Sequence, residues 1–172
     1  MVTRKPHRAG KKKTGPPAAP TGGSVGHGDF VVYPGVPTGI YDVLERLSAA
    51  AGDSPDFGTT GISLDRTRLT VRWFGALPPA VQAVIDSAGV GFEVVLQPTE
   101  FRPGDLRAEA ARLAGEHGDV VAAATARPEG NGIEVLVPPV VAEVAGGPQQ
   151  ALAAAGVTSD VPLFAEIGDA PA

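Results

Sequence analysis

The side chains able to do acid–base or nucleophilic chemistry are few in this 172-residue sequence, and their spacing serves it poorly. Of three histidines, His7 and His27 fall in a stretch rich in Pro, Gly and basic residues, and His117 closes a helical pattern. An imidazole there faces the negative end of a helix dipole, which accounts for it without catalysis. A serine nucleophile needs a constrained turn beside an oriented histidine, and Ser24, Ser48, Ser54, Ser63, Ser87 and Ser159 have no such setting. Two carboxylate pairs, Asp53 with Asp56 and Glu116 with Asp119, occupy a loop and a helix end. Neither has histidine or further acids at ligand spacing, so their expected roles are solvated acids and helix caps rather than a metal site. The stretch "GSVGHG" has the glycines of a phosphate loop but no preceding strand and no lysine. No GxSxG, HExxH, Walker or dinucleotide fingerprint occurs, and the lack of cysteine excludes thiolate ligands and disulfides. The expectation is a non-enzyme with no catalytic residue, no metal and no cofactor.

Binding is the chemistry that remains. Trp73 and Phe74 are neighbours in a strand pattern and must point to opposite faces. Trp73 is the core candidate, and Phe74 is expected to lie under the first helix or under the apolar strap "FVVYPGV". The charge is strongly asymmetric: residues 1–13 hold six of the fourteen basic groups and no acid. The rest of the chain sets eight Arg and no Lys against all nineteen acids. An acidic body repels a phosphate backbone, so nucleic acid is not an expected partner of the folded part. The basic run is expected to be a solvated arm. No apolar run approaches the ~18 residues of a membrane span, and Pro and Gly follow the basic start where a secretory signal would carry its apolar segment. As written the chain is expected in the cytoplasm; an upstream start adding a signal would make it secreted.

The elements that position these residues follow from periodicity and punctuation. Residues 1–29 combine charge, Pro and Gly with little apolar content and are expected to be a disordered arm. In residues 38–52, Ile40, Leu44, Leu47 and Ala51 fall on one helical face, with Thr38 and Gly52 as caps. Ile62 and Leu64, a turn at Asp65–Thr67 and residues 68–74 form a hairpin in which Leu69, Val71 and Trp73 alternate inward. Residues 77–89 are a helix with an apolar stripe at Val81, Val84, Ile85 and Ala88, stopped by Gly89. Residues 90–98 are a strand, and residues 102–118 a helix that buries Leu106, Ala110 and Leu113. A second hairpin turns between Pro128 and Gly132; a short helix at 147–156 and an apolar segment at 161–167 follow. The order β-β-α-β-α-β-β, preceded by one helix, predicts an α+β fold, a two-layer sandwich with helices on one face of a sheet. The expected organisation is an arm (1–29), a domain (30–138) and a C-terminal extension (139–172).

The run "FGTTGISLDRTRLTVRWFGALPPAVQAVIDSAGVGFEVVLQPTEF" resembles the pro-domain-like N-terminal region of secreted bacterial trypsin-like serine proteases, of the streptogrisin and α-lytic type. The residues that carry the likeness are Ile62–Asp65, Val71–Trp73, Gly75, Pro78–Val81 and Val94–Leu96. Arg127, Pro128, Gly130, Gly132, Ile133 and Val135 are similar to the family's next hairpin, so the likeness runs from about 40 to 138 and on toward 167. The protease domain and its triad have no counterpart here, and neither does the export signal.

The resemblance implies a folding template or inhibitor whose sheet extends onto a chymotrypsin-like serine protease and whose C-terminal segment lies in the substrate cleft. Strand addition of this kind draws affinity from unpaired main-chain groups and selectivity from alternate side chains. The edges expected to serve it are 69–74 or 133–137, together with 161–166. The partner-binding candidates are Arg72, Phe74, Val161, Leu163, Phe164 and Glu166. The alternative is an intracellular structural or adaptor domain whose basic tail touches nucleic acid or an anionic membrane.

Overall fold

A computed structural model describes residues 25–27, 30–32 and 39–170. Strands β1 (Val25–His27) and β2 (Phe30–Val32) pair antiparallel and belong to the unit Met1–Val36; all other elements belong to the unit Pro37–Ala172. β1 falls within the stretch expected to be disordered. The remainder of that stretch, and the proposed Thr38 cap, lie outside the described residues.

In the larger unit, helix α1 (Gly39–Ala51) precedes strands β3 (Gly61–Ile62) and β4 (Arg68–Trp73). Helix α2 (Pro79–Asp86) and strand β5 (Glu93–Pro98) follow. β3 runs antiparallel to β4, and β4 runs parallel to β5. The pattern then repeats. Helix α3 (Pro103–Glu116) leads to β6 (Ala123–Ala126) and β7 (Ile133–Val137). Two short helices, α4 (Pro139–Ala145) and α5 (Pro148–Ala154), stand where the first half has α2, and β8 (Leu163–Ile167) closes the set. β6 is antiparallel to β7, and β7 parallel to β8.

The fold is therefore α+β, as the order of elements predicts, but it has two three-stranded mixed sheets where a single sheet was expected. Each sheet belongs to one αββαβ unit. The equivalence reaches individual hydrogen bonds, because adding 64 to a residue number in the first hairpin gives its counterpart in the second. Ser63 N–H donates to Arg68 O at 3.0 Å, and Arg127 N–H to Gly132 O at 3.0 Å. Arg66 N–H donates to Ser63 O at 2.8 Å, and Gly130 N–H to Arg127 O at 2.9 Å. Upstream, Gly58 N–H donates to Arg72 O at 2.9 Å, as Ala122 N–H does to Leu136 O at 2.8 Å. Downstream, Thr99 N–H reaches Trp73 O and Gly168 N–H reaches Val137 O, both at 3.0 Å.

The same alternation fills both cores. Leu69, Val71 and Trp73 of β4 point inward as Ile133, Val135 and Val137 of β7 do, and all six are buried. Over β4 lie Ile40, Val43 and Leu47 of α1 with Val81 of α2; over β7 lie Leu106, Ala110 and Leu113 of α3 with Leu152 of α5. No buried residue belongs to both clusters. Each fully buried Leu, Ile or Val contributes roughly 1.5–3 kcal/mol of transfer free energy. Trp73 also places its indole N–H on Ala76 O at 3.1 Å, so its one polar atom is satisfied. The helix 77–89 ends earlier than its glycine signal: Ser87 is the C-cap, with its N–H on Ala83 O. Residues 139–170, expected as an extension, supply the strand that completes the second sheet.

Candidate functional site

The topology decides which backbone groups are available to a partner strand. β4 and β7 lie in the middle of their sheets, so the expected edges at 69–74 and 133–137 are paired on both sides. The outer strands are β3 and β5 in the first sheet and β6 and β8 in the second. Of these, β8 carries the expected segment 161–166.

β8 pairs with β7 in the register Ile133↔Leu163 through Val137↔Ile167. Ile133 N–H donates to Pro162 O, and Gly168 N–H donates to Val137 O, both at 3.0 Å. Along a strand the N–H and C=O of successive residues face opposite sides. Phe164, Glu166 and Gly168 therefore bond β7, while Leu163, Ala165 and Ile167 turn theirs to the open edge. Side chains alternate independently: Leu163 and Ala165 pack on the second core, and Phe164, Glu166 and Ile167 are exposed. Phe164 is 38% exposed and Ile167 59%, large for apolar residues on an edge. Of the devices by which edges are normally protected (charges, Pro and bulges), the strand carries one charge, Glu166, and no Lys, Pro or bulge. Phe164 is held from one side, with the Arg127 guanidinium 4.0 Å above its ring. Gly132 also lies close to it, with no room for a Cβ beside Pro162 O and the same ring.

The approach to β8 is fixed by a charged clamp. Glu109 on α3 accepts from Arg112 Nε at 2.8 Å and Nη2 at 2.7 Å, and from Ser159 Oγ at 2.7 Å. Arg112 Nη2 also donates to Thr158 O at 3.0 Å, and Nη1 to Glu116 at 2.5 Å. Arg112, and after it the Ser159 hydroxyl, hold the Glu109 carboxyl at about 2. The two carboxylates in turn raise the arginine. Ser159 Oγ accepts from Val161 N–H at 3.3 Å, so the candidate Val161, half-buried against the second core, is tied to α3 through one hydroxyl. The i,i+3 and i,i+4 spacing of Glu109, Arg112 and Glu116 was legible as a helical ion-pair series. Ser159, fifty residues on from Glu109, was not.

The other two candidates lie on the first sheet. Arg72, half-buried on β4, donates from Nη1 to Thr59 O at 3.0 Å and keeps its Nε buried without a partner. Phe74 follows β4, its N–H on Asp56 O at 3.0 Å. It is 36% exposed rather than covered, and Phe57 supplies the ring that stacks on Trp73, with centroids 5.8 Å apart. The structure thus joins Val161, Leu163, Phe164 and Glu166 along one strand and its approach, and puts Arg72 and Phe74 on a different sheet.

One member of each carboxylate pair considered for a metal is in an ion pair: Asp56 with Arg102 at 2.6 Å, Glu116 with Arg112. His117 is the C-cap of α3; its N–H donates to Leu113 O, and its carbonyl accepts from Val120 and Val121. Among the described residues no three His, Asp or Glu side chains cluster at metal-binding distance. No helix of the described residues is long and apolar enough to cross a membrane. Comparison of the chain with protein-family models and with curated proteins gives no match.

Proposed function

We propose that this chain is a non-enzymatic protein-binding module of the serine-protease pro-domain type, and that β8 is the strand it adds to its partner. The observation that carries this reading is the outer position of β8, unpaired on one side among the described residues, with Phe164 and Ile167 exposed on it. The outward main-chain groups of Leu163, Ala165 and Ile167 offer pairing sites spaced two residues apart, the geometry an incoming extended segment needs. Glu166, exposed on the same strand, adds a charge that favours a basic or neutral surface opposite. The expected partner is a chymotrypsin-like serine protease, by the resemblance of residues 40–138.

The test adds purified protein to a panel of chymotrypsin-like proteases and measures residual activity. Inhibition at micromolar concentration is expected. Ala165→Pro removes one outward N–H while leaving the β7 bonds in place, and should weaken inhibition by about tenfold or more. Phe164→Ala should weaken it with the main chain unaltered. Unfolding curves confirm that both variants fold. Absence of inhibition by the unaltered protein across the panel would refute the reading.

A further inference from the structure

A second opening lies on the opposite edge of the same sheet. A cleft of about 380 Å³ runs beside β6, floored by Leu106 and Ala110 of α3 and walled by Ala124 and Ala126. Gly58 and Thr59 of the first repeat form its far side. β6 is an outer strand, and its phase is set by Arg127 N–H, which bonds Gly132 O. In the register Ala126↔Ile133, residues of the same parity as Arg127 bond β7. The N–H and C=O groups of Ala124 and Ala126 therefore face the cleft. Their methyl side chains leave room above the strand, where larger residues would fill it.

The electrostatics of this opening run against the acidic body. Arg107 lines the cleft and donates from Nη1 to Phe57 O at 3.3 Å; Arg72 of β4, outside the lining, donates to Thr59 O at 3.0 Å. Among the described residues neither guanidinium forms an ion pair, nor do Arg46 and Arg66, whereas Arg68, Arg102, Arg112 and Arg127 do. Arg107 is thus an arginine of the lining without a carboxylate partner among the described residues. Thr99, buried against Gly130, and Gly130 itself, which accepts from Phe101 N–H at 2.9 Å, complete the lining.

We propose that this cleft binds an extended acidic peptide. Its main chain pairs with Ala124 and Ala126, its small apolar side chains enter the Leu106–Ala110 floor, and an Asp or Glu side chain meets Arg107. This site is independent of the β8 edge, and the two can be occupied together because they lie on opposite sides of β7.

The test uses the full chain and a fluorescein-labelled peptide, Ala-Val-Glu-Val-Ala with an amidated C-terminus, read by fluorescence anisotropy. Saturable binding is expected. It should weaken by about fivefold or more when the peptide Glu becomes Gln, and equally in Arg107→Gln. N-methylation of alternate peptide residues should abolish it, which tests strand pairing without altering the protein. Amide shifts in NMR should centre on Ala124, Ala126 and Thr59, and Ala165→Pro should leave the affinity unchanged. Indifference to the Glu-to-Gln exchange or to N-methylation would overturn the proposal. So would shifts centred on Leu163–Ile167, or no saturation at millimolar protein.

Discussion

Glu109 shows how one side chain couples distant parts of the chain. Its carboxyl, held at about 2 by Arg112 and Ser159, binds α3 to the turn before β8. A carboxyl lowered on folding contributes stability above its unfolded value of about 4.5, and that contribution drains away as pH falls through its folded value. Glu109→Gln should therefore destabilise the protein at neutral pH by roughly 1–2 kcal/mol, the scale of charge-assisted hydrogen bonds at a partly exposed site. Urea unfolding at pH 7 and near pH 2 checks it: the gap between unaltered protein and variant should close at the lower pH. An equal gap at both would show that packing, not ionisation, accounts for the clamp.

At the scale of elements, the two hairpins can be compared position by position. The same turn position is Arg66 with φ 58° in one repeat and Gly130 with φ 70° in the other. A side chain in the left-handed region costs about 1 kcal/mol or more, and glycine removes that cost. Arg66→Gly should be neutral or gain up to about 1 kcal/mol, since Arg66 lies 5.8 Å from the Tyr41 ring, a weak contact at most. Gly130→Ala should lose more than about 2 kcal/mol, because its Cβ would stand 2.5 Å from Cβ and Cγ2 of Thr99. Thermal denaturation of the pair tests both; a gain from Gly130→Ala would mean that Thr99 yields freely.

The elements themselves were largely legible. Alternation in 68–74 and four-three-four spacing in 38–52 mark a half-buried strand and an amphipathic helix, and both form. Leu44 stays only half-buried, and Val43 takes the core position beside it. The pairing of strands was not legible, because an apolar strand carries no label for its neighbours. β4 was therefore expected at an edge and lies in the centre. The repeat stayed hidden because equivalent positions share geometry rather than residue type: Arg66 answers to Gly130, and Trp73 to Val137. The β8 segment was visible as an apolar run, whereas the cleft at β6 depends on Gly58 and Thr59, far away in the chain.

On the scale of the molecule, two cores without a common member are joined by polar links. Among them are the Arg102–Asp56 ion pair, Gly104 N–H on Pro55 O at 2.7 Å, and Arg107 Nη1 on Phe57 O at 3.3 Å. Exposed or part-exposed ion pairs are worth little, about 0–1 kcal/mol each. Damage to one core should therefore stay local. Val71→Ala, which removes two buried methyls over α1, should lower hydrogen-exchange protection in β4 and β5 and leave β7 and β8 nearly unchanged. A uniform fall across both sheets would show a single cooperative unit.

The order of strands within each repeat also sets a timetable during synthesis. A parallel partner arrives only after its crossover helix, so neither sheet is whole until its third strand has left the ribosome. The first repeat has all its strands by Pro98, while the second is still being made. The second must wait for Ile167, with β7 hydrogen-bonded on one side only through two helices' worth of translation. At the usual pace of translation, about 5–20 residues per second, that interval lasts a second or more. During it the strands of the first repeat are already complete, while β7 still lacks its parallel partner.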